Sequence, residues 1–466
     1  MDNPHFDILE SRLLLDGAPP LMGDANRDDF VDYNDLQIVC NNFGITNGTW
    51  EQGDFNNDGL VDAFDYITVK NNIGNIREIS AYDRDDIIYA FGTQGDDQFD
   101  VFKDAEGIWI NDMLFANADN YNNIWIESFG GNDIIKVDYS ITEKTYLLSG
   151  PGDDKIYENS QGESIVEAGD GDDLIVTIGG GHDILEGGNG IDSYWFDSSD
   201  YATHVSEEEI SLLSVHEVIE FVSPYESETI SLEISGQNFT DPATSYPYNN
   251  NYSNYSLFGN GIKYNDAKQG NLGDCYYIAT LSSLALTNPE VIYQSITELG
   301  DGTYAIRFFR SGTERYYRLD ADLPGNFSPV YAKIINGSIW APLLEKAYCF
   351  FRYGQNSYNS ISGGWMTTPL YELTNKGTNT QFVSTTIREQ VITFIIDALN
   401  NEYAISAGTH SDNIAPIIGA HAYVIMDLYT DDINTYVKLY NPWGNVLTVD
   451  IDVFLGSFSA LVVCLL

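Results

Sequence analysis

Two rhythms of apolar residues alternate along the chain, one at helical spacing and one in short runs closed by glycine and aspartate. Apolar side chains fall at Leu36, Val39, Cys40 and Phe43, and again at Tyr66, Val69 and Ile73, so each stretch predicts a short amphipathic helix. Between about 83 and 200 the rhythm changes to brief apolar runs after Gly- and Asp-rich turns, as in FGGNDIIKV, SGPGDDKIY and AGDGDDLIV, which predicts stacked short strands. From Cys275 to Leu286 the sequence CYYIATLSSLAL places apolar residues at 277, 278, 281, 284 and 285, a helical stripe with Asp274 as candidate N-cap. HAYVIMDLY and YVKLYNPWG, separated by the turn residues TDDINT, read as a hairpin. The apolar run from Phe454 to Leu466 is too short to span a membrane and reads as a core strand.

Charge divides the chain. Of a formal net charge of -49, residues 1–256 contribute 51 acids against 9 bases, and 257–466 contribute 19 against 12. A surface this acidic excludes nucleic acid as a partner, because phosphate binding needs a basic face. Cations or a salty exterior are the expected counter-charge. No stretch reaches the length of a membrane span, and no ordinary signal peptide is visible. The four cysteines, at 40, 275, 349 and 464, have no CxxC spacing, which argues against a zinc site and a dense disulfide framework.

The acids are ordered. Residues 23–44 and 53–74 repeat with a period of 30 and place oxygen ligands at loop positions 1, 3, 5 and 12: Asp24, Asn26, Asp28 and Asp35, then Asp54, Asn56, Asp58 and Asp65. Alternating hard oxygens in a tight loop, closed by an acid entering a helix, suit calcium. Gly59 supplies the sharp turn of the second loop, where the first has Asp29. Further on, Asp97, Asp133, Asp154, Asp173, Asp183 and Asp192 recur at intervals of 36, 21, 19, 10 and 9, near multiples of nine. A Gly-x-Gly-x-Asp turn with an apolar residue two positions on is the logic of a parallel β-roll, with Asp154, Asp173, Asp183 and Asp192 as the candidate calcium ligands. The Tyr-, Asn- and Ser-rich SYPYNNNYSNYS reads as part of a linker.

The chemistry concentrates around KQGNLGDCYY. Cys275 opens a predicted helix, where unpaired amides and the dipole favour a thiolate. Gly270 and Gly273 allow a tight turn before it, and Gln269 is close enough to donate to a developing oxyanion. If the hairpin turns near residue 431, positions summing to about 862 face one another and His421 pairs with Asn441. An asparagine oxygen on the imidazole fixes the tautomer that exchanges a proton with sulfur, the Cys-His-Asn logic of thiol peptidases. His410 lacks such a partner and reads as a turn residue.

These motifs carry resemblances. QGNLGDCYY, WAPLLEKAY, SGGW, GAHAY and NPWG, in order over 257–466, resemble the catalytic core of a calpain. That resemblance implies a papain-like α+β core of two subdomains, Cys275 as nucleophile, His421 as general acid/base, Asn441 as orienter, Gln269 in the oxyanion hole and Trp443 shielding the His–Asn pair. Calpain cores also bind calcium; Asp266 matches one acidic ligand, but Ser338 stands where a second is expected. The loop pair resembles a type I dockerin, which implies two calcium ions and a cohesin-type docking partner. The Gly/Asp turns resemble the RTX, or haemolysin-type, calcium-binding repeat. Leu9 to Leu15, LESRLLL, resembles the LEPR-x-LL signature at the start of large surface or exported proteins of planctomycete-like bacteria.

The expected organisation is multidomain: a sorting-like segment at 1–20, a small α dockerin/EF-hand-like loop–helix pair at 21–76, a β-roll or β-solenoid at 77–200, a linker at 201–256 and the peptidase core at 257–466. The expected function is an extracellular or cell-surface, calcium-dependent cysteine endopeptidase acting on protein or peptide substrates, with Ca2+ as cofactor. The alternative is a catalytically silent, calcium-stabilised adhesion or scaffold protein.

Overall fold

The computed structural model describes residues 21–27, 30–31, 33–73, 79–84, 86–223, 229–230, 232, 239–248, 250–383, 387–431 and 433–466. The sorting-like segment 1–20, together with Asp28 and Asp29 of the first loop, lies outside the described residues. The chain divides into two compact units, Met1–Glu217 and Val218–Leu466.

In the first unit the helices Tyr33–Asn42 and Ala63–Asn72 form where the apolar spacing predicts them. Asp62 accepts from the Phe64 N–H and Asp65 accepts from the Asp62 N–H, closing a capping box that starts the second helix. Val39 and Val69 turn onto a small core with Ala25, Val31, Phe55 and Val61. Cys40 and Phe43, counted in the same stripe, are exposed instead, because the pair has only one face to bury.

A two-sheeted solenoid follows, and from Asn123 onward its neighbouring strands are parallel. Tyr146, Ile165 and Ile184 pair in register on one sheet, and Ile156, Ile175 and Tyr194 on the other. A full coil is therefore 19 residues, and the spacings of 10 and 9 around Asp183 are its two halves. Ile124, Leu147, Val166 and Leu185 fill the interior against Ile135, Ile156, Ile175 and Tyr194. Coils stack closely at glycine columns: a Cβ on Gly150, Gly169 or Gly188 would lie 1.8, 2.1 or 1.9 Å from a carbonyl of the preceding coil.

The roll departs from its expected form at both ends. The interval of 36 between Asp97 and Asp133 is a single coil, carried by Gln98–Lys103 and Asn123–Glu127 and lengthened by the antiparallel strands Gly107–Ile110 and Met113–Ala116. At the other end, Tyr201–Thr203 and Val215–Glu217 each extend a sheet in parallel, so residues assigned to the linker continue the stack.

The rest of the expected linker joins the second unit. Phe221 pairs with Tyr316, and Asn250–Asn251 pairs with Asp322–Leu323. Tyr252 is buried in the main core and Tyr248 packs against it, whereas Tyr246 and Tyr255 are exposed. That core surrounds the helices Cys275–Thr287 and Trp340–Phe351. A separate core lies under a six-stranded antiparallel sheet in the order Thr378–Phe382, Phe458–Cys464, Ile405–Thr409, Ala422–Thr430, Thr435–Asn441 and Asn445–Asp450. The terminal apolar run is split: Phe454 belongs to a helix, Ile451–Ser457, and only Phe458–Cys464 is strand.

Candidate active site

Cys275 heads a helix whose residues 276–285 are all buried, so its backbone is fixed by packing on every side. That helix packs on the strand Ala422–Thr430, and the Ala422 N–H meets the Cys275 sulfur. His421 therefore stands immediately before the strand that faces the thiol.

His421 Nε2 lies 2.9 Å from Asn441 Oδ1. The amide oxygen only accepts, so Nε2 carries the hydrogen and Nδ1 is left as the basic nitrogen. Asn441 Oδ1 also accepts from the Trp443 N–H at 2.9 Å. The Trp443 ring lies 4.7 Å from the imidazole centroid and covers the pair from solvent, with 47% of its own surface exposed. On the strand side, the His421 N–H donates to Thr409 Oγ1 at 2.9 Å.

The hairpin register differs from the expected one. Val424 pairs with Tyr440 and Ile425 with Leu439; after a bulge, Asp427 pairs with Lys438. His421 and Asn441 are thus diagonal neighbours on one face, not direct partners. Diagonal residues are within reach of long side chains, so the slip of two leaves the contact intact.

Burial dominates the electrostatics. It pushes the Cys275 thiol up from its ordinary range, and the neighbouring Asp274 adds to the shift against the Ala422 amide. It pushes the His421 imidazole down, against the hydrogen bond to Asn441. Desolvation thus works toward the neutral form of each group, against the helix terminus, which favours a thiolate.

Gln269 is held by its backbone N–H on the Pro442 carbonyl at 2.9 Å. Its Nε2 donates to the Leu272 carbonyl at 2.6 Å and its second amide hydrogen is turned toward the Asp274 carboxyl, while Oε1 is buried without a partner. Asp274 occupies the N-cap position but its side chain makes no cap bond. It turns inward to meet Glu345 of the Trp340–Phe351 helix, with both carboxyls buried. Desolvation pushes Asp274 up to about 6 and Glu345 well above its ordinary range. Sequence reasoning missed this pair; the acid within each of the two motifs GDC and LLEKAY was its only trace.

The calcium candidates fall into three groups. In the second loop, Asp54 accepts from the Asp58 and Gly59 N–H groups, and Asp65 accepts from Phe55 and Asp62. Asn56 and Asp58 are exposed and accept from nearby loop amides. In the first loop, Asp24 and Asp35 are buried, Asp35 accepts from Ala25 and Asn26, and Asn26 is exposed. In the peptidase unit, Asp266 accepts from the Lys263 N–H and Ser338 Oγ donates to the Leu257 carbonyl, so both serve the local fold.

The solenoid aspartates form a ladder. Oδ1 of Asp133, Asp154, Asp173 and Asp192 accepts the N–H of the aspartate one coil earlier, from Asp97 onward, at 2.7–3.0 Å. Asp183 lies at the opposite corner, accepting from Ser164 and donating its N–H to Asp200. Oδ2 of Asp133, Asp154, Asp173, Asp183 and Asp192 is buried without a partner, which suits a cation. Among the described residues, no group of three or more His, Cys, Asp or Glu side chains comes together as a metal cluster. An ion held by the ladder would therefore take backbone carbonyls for the remainder of its shell.

The second unit thus brings a partly buried helix-start cysteine against the strand that follows His421, whose ring is bonded to Asn441. The family profile described as "Calpain family cysteine protease" matches residues 242–449, so this segment is a calpain-family cysteine protease domain. Calpain clp-4 of Caenorhabditis elegans is 26% identical over 212 residues, covering 41% of this chain and 29% of the relative. Human Calpain-14 is 28% identical over 214 residues, covering 42% and 30%, and the rice calpain-type cysteine protease ADL1 is 26% identical over 209, covering 41% and 9%. The chain thus spans less than a third of the length of these relatives.

Proposed function

We propose that the chain is a cysteine endopeptidase of calpain type that hydrolyses peptide bonds in protein substrates. The observation that carries this is the 2.9 Å bond from His421 to Asn441, which leaves Nδ1 as the base beside the helix that Cys275 heads. Nδ1 takes the thiol proton as sulfur attacks the peptide carbonyl. The imidazolium then gives that proton to the leaving amine, forming a thioester that water hydrolyses with His421 again as base. The Gln269 amide serves the developing oxyanion once its second hydrogen turns from Asp274.

We further infer that calcium acts on the first unit. At neutral pH the buried ladder carboxylates must either keep protons or meet a cation, and their orphaned oxygens support the second outcome. The loop pair, as a dockerin-like module, would take calcium at Asp24, Asn26, Asp28 and Asp35 and at Asp54, Asn56, Asp58 and Asp65, and dock a cohesin-type partner. Dependence on roughly millimolar calcium suits an extracellular or cell-surface setting.

The test is proteolysis of an unfolded protein with and without calcium, run beside Cys275→Ala. Cleavage lost in Cys275→Ala supports the enzyme. Cleavage unaffected by that substitution, or none under any condition, supports the silent scaffold. Cleavage that ignores calcium and chelator confines calcium to a structural role.

A further inference from the structure

The outward face of one solenoid sheet carries an apolar row that the mechanism does not use. Tyr89 pairs with Trp125, Trp125 with Tyr146, Tyr146 with Ile165, Ile165 with Ile184, and Ile184 with Tyr201. All six occupy the same register position, and their strand neighbours Ile88, Ile124, Leu147, Val166 and Leu185 point inward. At about 4.8 Å per strand the row is roughly 24 Å long. Its far end is open: Ile184 is 47% and Tyr201 69% exposed. Trp125 and Tyr146 stack at 5.2 Å, forming a flat aromatic floor.

Two residues along each strand runs a second row, with Glu127, Glu167 and Glu186 in register through Leu148. This rail of acids thus flanks the ring and aliphatic row at three of its six strands, with Phe91, Leu148 and Thr203 at the others. The molecule already shows how a cation sits there, since Lys144 Nζ lies 5.4 Å above the Tyr146 ring. Ring faces attract cations and carboxylates bind them, so rings and rail favour the same ligand.

We propose that this face docks a Lys/Arg-rich polypeptide segment, whose cationic heads meet the rings and the Glu rail while its apolar stems cover Ile165 and Ile184. A second copy of this chain would bring like charge against the rail, in a protein of net charge -49. An anionic membrane or nucleic acid meets the same repulsion. A neutral polysaccharide would leave the rail unused and find no ring at the two isoleucine positions. The inference does not depend on the peptidase being active.

The test uses the full chain carrying Cys275→Ala, so that the probe is not cleaved, and a fluorescein-labelled peptide of alternating Lys and Leu, read by anisotropy at physiological salt. Tyr146→Ser with Tyr201→Ser, and separately Glu167→Gln with Glu186→Gln, should each weaken binding roughly tenfold with unchanged circular dichroism. The charge control Glu389→Gln with Glu402→Gln, in the other unit, should bind as the parent does. Equal affinity in the tyrosine variant would overturn the proposal, as would a control that weakens binding as much as the rail variant, because either result reduces the effect to general acidity. Tyr-dependent binding of a neutral xylan in place of the peptide would overturn it as well.

Discussion

Replacing Asn441 by alanine removes one oxygen that serves two donors, the His421 Nε2–H and the Trp443 N–H, each at 2.9 Å. His421 is only 7% exposed, so water cannot freely take the vacated place. The bond matters most when the imidazole is charged, during proton transfer. A hydrogen bond to a charged group contributes about 1.5–3 kcal/mol, so kcat/KM on a fluorogenic peptide should fall by roughly 10- to 150-fold. The pH profile gives a second, signed readout. Asn441 holds the His421 imidazolium up against desolvation; without it the pKa drops further, and because the base form does the work, the acid limb of kcat/KM moves to lower pH. Asn441→Asp supplies a carboxylate instead and should move that limb to higher pH. An alanine variant within about threefold of the parent, with its acid limb unmoved, would refute the reasoning that Asn441 acts through the imidazole.

Three further outcomes follow from the same geometry. Glu345→Gln replaces the buried acid facing Asp274 by a permanent donor; because Asp274 is raised to about 6, the parent loses stability as pH climbs from about 4 through that value, and denaturant titration should show a flatter slope in the variant. In metal-free protein the solenoid carboxyls Asp173 and Asp183 are raised to about 8 and about 9, so their contribution is present at acid pH and lost as pH rises through that range. Calcium added at the alkaline end should then raise the melting temperature, and a melt indifferent to calcium and chelator at every pH would remove the cation from the ladder. Gly169→Ala puts a Cβ 2.1 Å from the Gly150 carbonyl at a φ of +123° and should cost about 1–3 kcal/mol in chemical denaturation, whereas a variant as stable as the parent would mean that the coils do not stack so closely.

What could be read from the chain was local or periodic. The helix after Asp274, the two helices after the loops and the stacked strands at Asp154, Asp173 and Asp192 are written in spacings that the backbone obeys whatever surrounds it. The His421–Asn441 contact was legible because one hairpin joins them, although the bulge after Ile425 altered the pairing that brings them together. Contacts between distant segments were not. Asp274 meets Glu345 only because two helices pack, and Phe221 joins Tyr316 across a long separation, so no period or turn signals either. The opposing pull of burial on Cys275 and His421 was hidden for a related reason: it depends on how much protein surrounds the pair, which helix position alone does not specify.

The aspartate ladder has a direction. Each rung accepts an amide from the coil before it, so every coil is sealed by chain that is synthesised later. The last amide in the series, on Asp192, is received by Glu209, whose other oxygen takes the Ser206 N–H at the start of a short helix, Glu207–Ser211. Glu209 is thus a terminator that closes the column without needing a successor. A chain leaving a ribosome N-terminus first therefore carries one open rung at its growing end until Glu209 emerges. That last piece closes the final rung, and any fragment cut between Asp192 and Glu209 would leave the Asp192 amide without its acceptor.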